Sequence, residues 1–291
     1  MTPRPRRTAL YMPASNPRAM EKARTLDCDI VILDLEDAVL PEMKETAREA
    51  ALAAVRTGGF GRREIVIRVN ALETPWGAAD LAALTTVGPD AVLAPKIRRP
   101  ADIAAYERGL AQAPATTGLW VMIETPQSIL HLDAIASCGG RLAALVMGIN
   151  DLAKETGARQ TPDRAPFHAA LSLCVTAARA HDLIALDGVH NEIDDLAALE
   201  TVCRQGADFG FDGKSLIHPS HLEICNQAFT PPPGDVAWSR AVIAAFAAPE
   251  NANKGALRVE GRLAERLHCS QAERLVAIAQ AIERAQAGAA P

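Results

Sequence analysis

Eight short runs of apolar residues, rich in β-branched side chains, recur along this 291-residue chain with similar spacing. They cover residues 8–13, 30–35, 64–70, 91–97, 119–124, 143–149, 183–187 and 209–213. Runs that are apolar at nearly every position are typical of parallel strands, because such strands are buried on both faces. We therefore predict eight parallel strands.

Segments with a helical pattern alternate with these runs. They cover residues 41–56, 101–113, 126–138, 163–181, 192–205 and 219–229. The first begins at Pro41 and stops at Gly58 and Gly59, which are typical start and stop residues of a helix. Repeated strand–helix alternation predicts an α/β fold, a (β/α)8 TIM barrel. A doubly wound open sheet is the alternative, but the chain has no GxGxxG or Walker motif.

A proline-rich break at residues 231–234 (PPPG) separates the predicted barrel from the rest of the chain. We predict a catalytic barrel domain at residues 1–230 and a C-terminal helical extension at residues 231–291. The extension shows a helix at 236–247, a bend at 251–255 and a long final helix from about residue 261. We expect it to pack on this barrel or on a neighbouring subunit.

Composition excludes several classes of protein. A net charge of −5 argues against a nucleic-acid surface, and no apolar run is long enough to span a bilayer. The basic tip with Arg4, Arg6 and Arg7 is followed by a strand-like run, not by the apolar core of a signal peptide. The six cysteines form no CxxC pair and have no histidine at zinc spacing. We expect a soluble, cytoplasmic protein with reduced thiols.

Polar side chains cluster where the predicted strands end, which is where barrel enzymes place their active sites. In chain order they are Asp34, Glu36, Asp37, Arg68, Lys96, Glu124, Asp151, Asp187, Asp212 and Lys214. Carboxylates that share one mouth repel one another unless a cation lies among them. Oxygen ligands without His or Cys favour Mg²⁺, or Mn²⁺, over Zn²⁺. Glu124 and Asp151, on neighbouring strands, are the best pair, although a single acid such as Asp151 could instead cap a helix.

Two cations are predicted at the same mouth. Arg68 could hold a carboxylate or an oxyanion with its planar fork, or it could form a structural salt bridge to Asp34 or Glu36. Lys96 could bind substrate or form a Schiff base, but acidic neighbours would keep it protonated. We therefore favour an ion-pairing Lys96.

Several segments, taken together and in order, carry a family resemblance. They are residues 10–18 (LYMPASNPR), 33–39 (LDLEDAV), 67–70 (IRVN), 95–97 (PKI), 123–125 (IET), 148–152 (GINDL), 210–214 (GFDGK) and 217–219 (IHP). With them the chain resembles the citrate lyase β-subunit-like proteins of the HpcH/HpaI aldolase superfamily. That group includes malyl-CoA and citramalyl-CoA lyases and (3S)-malyl-CoA thioesterases, and the resemblance extends over essentially the whole chain.

The resemblance implies roles for residues of the barrel. Glu124 and Asp151 match the family's Mg²⁺ ligands, Arg68 its substrate-binding arginine, and Glu36 and Asp37 the acids near the metal's water shell. Ser15, Asn16, Arg18 and Lys22 match the first loop, which contacts CoA. From the residues alone, Arg18 and Lys22 are cations at a helix start that could meet phosphates, or they are solvated surface charges.

The tail, residues 261–268 (GRLAERLH), resembles the family segment whose Asp reaches into a neighbour's active site. Here Glu265 takes the place of that Asp, and this form, like residues 150–155 (NDLAKE), looks like the malyl-CoA thioesterase branch. The alternative is a solvent-facing acid on a helix.

The leading functional prediction is a Mg²⁺-dependent lyase that cleaves a 3-hydroxyacyl-CoA such as malyl-CoA or citramalyl-CoA into acetyl-CoA and a 2-oxoacid. The alternatives are a (3S)-malyl-CoA thioesterase, a citrate lyase β subunit acting on an acyl-carrier-protein thioester, and a non-catalytic subunit or binding protein. The resemblance also implies a homotrimer or a hexamer.

Overall fold

The computed structural model describes residues 4–287, and eight parallel strands form a closed barrel within it. The strands are β1 (Thr8–Pro13), β2 (Ile30–Asp34), β3 (Glu64–Arg68), β4 (Ala91–Ala94), β5 (Gly118–Ile123), β6 (Leu142–Met147), β7 (Ile184–Asp187) and β8 (Gly213–Leu216). Each strand pairs with the next one, and β1 closes the ring by pairing with β8. The predicted (β/α)8 barrel is confirmed.

Helices connect the strands. They are α1 (Pro17–Ala23), α2 (Lys44–Thr57), α3 (Gly77–Leu84), α4 (Pro100–Gly109), α5 (Pro126–Leu130), α6 (Leu132–Ala136), α7 (Ile149–Thr156), α8 (His168–Ala180), α9 (Leu196–Phe209) and α10 (Leu222–Ala228). Local sequence explains several of their ends. Asp195 caps α9 by accepting from the Ala198 amide, and α9 stops at Gly210, which is left-handed.

The strands separate two apolar layers because successive side chains point to opposite faces. On β2, Ile30 and Ile32 belong to the cluster that fills the barrel, together with Trp120. Val31 and Leu33 belong to the larger cluster, which lies between strands and helices. Both faces of β2 are therefore apolar, which is why its run in the sequence is nearly continuous.

The eighth strand differs from its predicted position. Residues 209–213 were expected to form it, but Phe209 ends α9, and β8 begins only at Gly213. Asp212 thus precedes the strand and pairs with Arg179, while Lys214 lies inside the strand with no exposed surface. The prediction missed β8 because it contains a buried lysine, whose charge is balanced by Asp187, 2.9 Å away.

The described residues form two compact units, one of residues 6–229 and one of residues 4–5 and 230–287. The second unit contains α11 (Pro233–Ala247), the antiparallel pair β9 (Ala256–Val259) and β10 (Arg262–Glu265), and α12 (Arg266–Ala287). The final helix was expected from about residue 261. That prediction was wrong, because residues 261–265 form a turn and a strand instead. The proposed packing of this unit on a neighbouring subunit stays a prediction.

Among residues 4–287, none of the helices combines the length and the apolar character needed to cross a bilayer.

Candidate active site

Alternation along the strands brings charged side chains to the carboxyl end of the barrel. Val66 and Trp120 point into the barrel, so the residues two or four positions later, Arg68 and Glu124, point to the same side at its mouth. There they line a cavity of about 310 Å³. Its other lining residues include Tyr11, Asp34, Asp37, Gly148, Asp151, Ser215 and Ile217.

Arg68 is held in place by ion pairs with two acids of the mouth. Its Nε and Nη2 donate to the two carboxylate oxygens of Asp34 at 2.6 and 2.7 Å, and Nη1 lies 2.9 Å from Glu36 Oε2. Its guanidinium carbon lies 4.7 Å from the centre of the Tyr11 ring, a cation–π contact. Burial alone would lower the pKa of Arg68, but the charges of Asp34 and Glu36 raise it instead. The fork is therefore permanently charged and fixed in place.

Asp34 links this arginine to the loop after β2. Its Oδ1 also accepts from the Glu36 amide at 3.0 Å, and its Oδ2 accepts from the Ala38 amide at 3.2 Å. Burial would raise the pKa of Asp34, but Arg68 and the two amides lower it. Asp34 was expected only as one of two alternative partners of Arg68, and the structure shows that it is the principal one.

Glu36 and Asp37 occupy different environments although they are neighbours in sequence. The Glu36 side chain is buried, and burial together with the nearby Glu124 and Asp37 carboxylates raises its pKa to about 8, against the opposing charges of Arg68 and Lys96. Asp37 is 64% exposed, and its Oδ2 lies 3.7 Å from Arg68 Nη1. Of these two neighbours, Glu36 is the one whose pKa suits proton exchange near neutral pH.

Three acids surround the ammonium of Lys96. Its Nζ lies 2.6 Å from Asp151 Oδ2, 3.3 Å from Glu124 Oε1 and 3.7 Å from Glu36 Oε1. The Lys96 amide also donates to Glu124 Oε1 at 2.8 Å. Burial raises the pKa of Glu124 and the Asp151 charge adds to that rise, whereas Lys96 opposes it. An ion-pairing Lys96 is thus what the structure shows, and its role in substrate binding stays a prediction.

The backbone of Lys96 is unusual, since its φ is +55°. A left-handed conformation costs a non-glycine residue about 1 kcal/mol or more, so it persists only where surrounding contacts enforce it. Here it lets the amide and the ammonium of one residue reach the same carboxylate.

The donor set fits a hard divalent cation. Glu124 and Asp151 offer only oxygen, and Mg²⁺ characteristically takes one or two carboxylates and completes its shell with water and substrate. Within residues 4–287, His, Cys, Asp and Glu side chains form no ready-made cage of three or more ligands.

Four further predicted site residues belong to the loop after β1 and to α1. Asn16 is exposed and accepts from the Ala19 amide at 3.1 Å, so it caps α1. Arg18 and Lys22 are exposed on α1, and Ser15 is partly buried just before it. A CoA-binding role for these four residues stays a prediction.

Glu265 belongs to the other compact unit. It is the last residue of β10, and its amide donates to His268 Nδ1 at 2.9 Å. The expectation that it is a helical residue was wrong. Whether it reaches a neighbouring subunit's site stays a prediction.

The mouth residues that were not predicted from the sequence include Tyr11 and Gly148. Tyr11 lies under Arg68, and alternation along β1 could have placed it there. Gly148 follows β6, and a Cβ at this position would lie 2.5 Å from Glu124 Cβ and 2.6 Å from Glu124 Oε2. The absence of a side chain therefore leaves room for Glu124.

The sequence motifs and the barrel mouth described above agree with the similarity of this chain to a known protein family. The model of the HpcH/HpaI aldolase/citrate lyase family matches residues 7–219. The chain belongs to this family. The resemblance drawn from the sequence motifs is thus confirmed, and the protein is an enzyme.

Within the family, similarity differs between branches. The chain is 45% identical, over 96% of its own length and 96% of the relative's, to a (3S)-malyl-CoA thioesterase of Cereibacter sphaeroides. It is 30% identical, again over 96% of both chains, to an L-malyl-CoA/beta-methylmalyl-CoA lyase of the same species.

A solved structure of similar architecture is CitE from Mycobacterium tuberculosis in complex with magnesium, acetoacetate and coenzyme A. It aligns with a TM-score of 0.74 at 29% identity and covers 94% of this chain and 98% of its own. The similarity therefore includes the C-terminal part of the chain as well as the barrel.

Proposed function

We propose that this enzyme hydrolyses the thioester of a small 3-hydroxyacyl-CoA of the (3S)-malyl-CoA type, with Mg²⁺ bound by Glu124 and Asp151. The observation that carries the proposal is one barrel mouth in which Arg68 and this acid pair converge, in a chain 45% identical to a malyl-CoA thioesterase. The tail form with Glu265 also favours that branch.

The chain's own residues supply binding and proton transfer in this proposal. Arg68, immobilised by Asp34, keeps N–H groups beyond those engaged by the two acids and can bind the substrate carboxylate or a developing oxyanion. Glu36, with its raised pKa, can take a proton from water, and Asp37 lies at the exposed edge. Bound Mg²⁺ would act as a Lewis acid toward substrate oxygens.

A second candidate is the lyase reaction expected from the sequence, supported by the relative at 30% identity that cleaves malyl-CoA-type substrates by name. It would use the same mouth. Arg68 would steady the acetyl-CoA enolate, and Glu265 of a neighbouring subunit would protonate it.

The test is to incubate the purified protein with (S)-malyl-CoA, with Mg²⁺ and with EDTA, and to identify the products by mass spectrometry. Malate and free CoA formed only with Mg²⁺ would support the thioesterase. Glyoxylate and acetyl-CoA would replace it by the lyase. Equal product with EDTA would remove Mg²⁺ from the proposal.

An inactive protein in that assay would be tested next with citramalyl-CoA and with an acyl-carrier-protein thioester. Activity on the carrier-bound substrate alone would identify a citrate lyase β subunit. Failure on every substrate, together with no Mg²⁺ binding in calorimetry, would favour a non-catalytic role.

A further inference from the structure

Lys96 contacts each of the two acids of the candidate metal site through only one carboxylate oxygen. Its ammonium and its amide contact Oε1 of Glu124, and the ammonium contacts Oδ2 of Asp151. Within residues 4–287, no hydrogen bond engages the second oxygen of either acid, Glu124 Oε2 or Asp151 Oδ1. Each carboxylate is thus fixed through one oxygen and keeps the other for a ligand.

The same ammonium also affects the charge of the site. Glu124, Asp151 and Glu36 would repel one another without a cation, and Lys96 Nζ lies within 3.7 Å of all three. A cation that close to a metal site also repels Mg²⁺, because the repulsion between like charges is strong at short range.

We infer that Lys96 is the resident counter-charge of the metal site: it keeps Glu124 and Asp151 assembled when no metal is bound, and it limits the affinity for Mg²⁺ when one binds. This inference rests on the proposed function, because it takes the two acids to be the Mg²⁺ ligands. Lys96 acts through these acids and is a positioning residue.

Lys96→Met tests the inference, since methionine keeps the length and apolar stem of lysine without its charge. Calorimetric titration with MgCl₂ should show a Kd at least about tenfold lower than in the wild type. The unliganded variant should unfold at a lower temperature than the unliganded wild type, and saturating Mg²⁺ should close that gap. A structural role alone would not tighten metal binding.

Two further variants complete the design. Lys96→Arg retains the charge and should keep the Kd within about threefold of the wild type. Lys154→Met removes an exposed cation from α7, the helix that carries Asp151, and should change the Kd by less than about twofold.

The outcomes separate the inference from the proposed function. If the wild type binds Mg²⁺ and Lys96→Met binds it equally or more weakly, the inference is overturned and the metal site stands. If Lys154→Met lowers the Kd for Mg²⁺ by a similar factor, the effect comes from the net charge of the protein and not from the position of Lys96. That result would also overturn the inference. If neither the wild type nor Lys96→Met binds Mg²⁺, the metal assignment of the proposed function fails, and the inference fails with it.

Discussion

At the residue scale, the lack of a side chain at Gly148 makes room for Glu124, one of the two candidate metal ligands. Gly148 lies so close to Glu124 that a methyl group would come within 2.6 Å of its Oε2, the oxygen that Lys96 leaves for a ligand. Real Cβ atoms do not approach other atoms so closely, so either the carboxylate or the loop after β6 would have to move.

We therefore predict that Gly148→Ala weakens Mg²⁺ binding by about tenfold or more, as changes that reorient metal ligands typically do. Calorimetric titration with MgCl₂ measures the effect. Gly234→Ala is the matched control, because a Cβ there meets no atom within 4 Å. An unchanged Kd in Gly148→Ala would mean that Glu124 has room to turn or is not a ligand.

The residues of the site could be predicted from the sequence where their position on a strand determines the side to which the side chain points. Arg68 and Glu124 follow strands whose inward positions can be counted from the sequence, and both reach the mouth. The principal partner of Arg68 was not predictable, because Asp34 and Glu36 lie two positions apart on the same side. In the folded protein Arg68 contacts both acids, and it donates two hydrogen bonds to Asp34. The left-handed backbone of Lys96 has no signal in the sequence.

At the scale of elements, a buried charge cluster joins β7 and β8. Asp187 accepts from Lys214 Nζ at 2.9 Å and from Arg164 Nη1 at 2.8 Å, and neither Asp187 nor Lys214 has exposed surface. Burial would raise the pKa of Asp187, but the two cations lower it below its ordinary value of 3.8. The ionised carboxylate thus favours the folded state.

Asp187→Asn should lower the free energy of unfolding at pH 7 by about 3–5 kcal/mol, because it leaves two buried cations without their counter-charge. The wild-type contribution is complete above pH 3.8, where the unfolded carboxyl is ionised, and is lost as the pH falls through the lower folded pKa. The difference between wild type and variant should therefore shrink in strong acid.

Denaturant unfolding of both proteins between pH 7 and pH 2 measures this difference. Asp208→Asn, which changes an exposed acid on α9, should alter stability by no more than about 0.5 kcal/mol. A difference that stays constant down to the lowest pH would show that the Asp187 carboxyl does not titrate with folding.

The elements themselves were predictable where apolar periodicity is strong. β1 was predicted with its observed bounds, and most other strands were predicted within a few residues. Two failures have the same cause, since polar sequences formed strands: β8 contains Lys214 and Ser215, and β10 contains Arg262 and Glu265. β8 is stabilised by pairing with β7 and with the distant β1, and such long-range pairing is not encoded locally. β10 instead pairs with the adjacent β9 across the turn at residues 260–261.

At the scale of the whole molecule, the predicted role of Glu265 in a neighbouring subunit's site can be tested through assembly. If Glu265 completes the site of a neighbouring subunit, a site needs Arg68 from one chain and Glu265 from another. Arg68→Ala and Glu265→Ala homo-oligomers should then both be nearly inactive. Mixed oligomers co-assembled from equal amounts of the two variants should recover about a quarter to a third of the wild-type activity, because some neighbouring pairs combine an intact Arg68 with an intact Glu265.

Co-expression with two different affinity tags, tandem purification and a turnover assay would measure this complementation. Mixing the separately purified variants without subunit exchange is the control and should restore nothing. Mixed oligomers as inactive as their parents would place Glu265 in its own chain's site or outside catalysis.

Closure of the barrel by its first and last strands leaves the nascent chain with an unpaired strand edge during translation. Thr8 pairs with Lys214 and Leu10 with Leu216, so the last strand leaves the ribosome roughly 200 residues after the first, or about 10–40 s later at ordinary rates of translation. Throughout that interval one edge of β1 has no strand to pair with, and open edges recruit strands from other molecules. Slow or interrupted translation before residue 213 would therefore expose the first strand to aggregation, however stable the finished ring is.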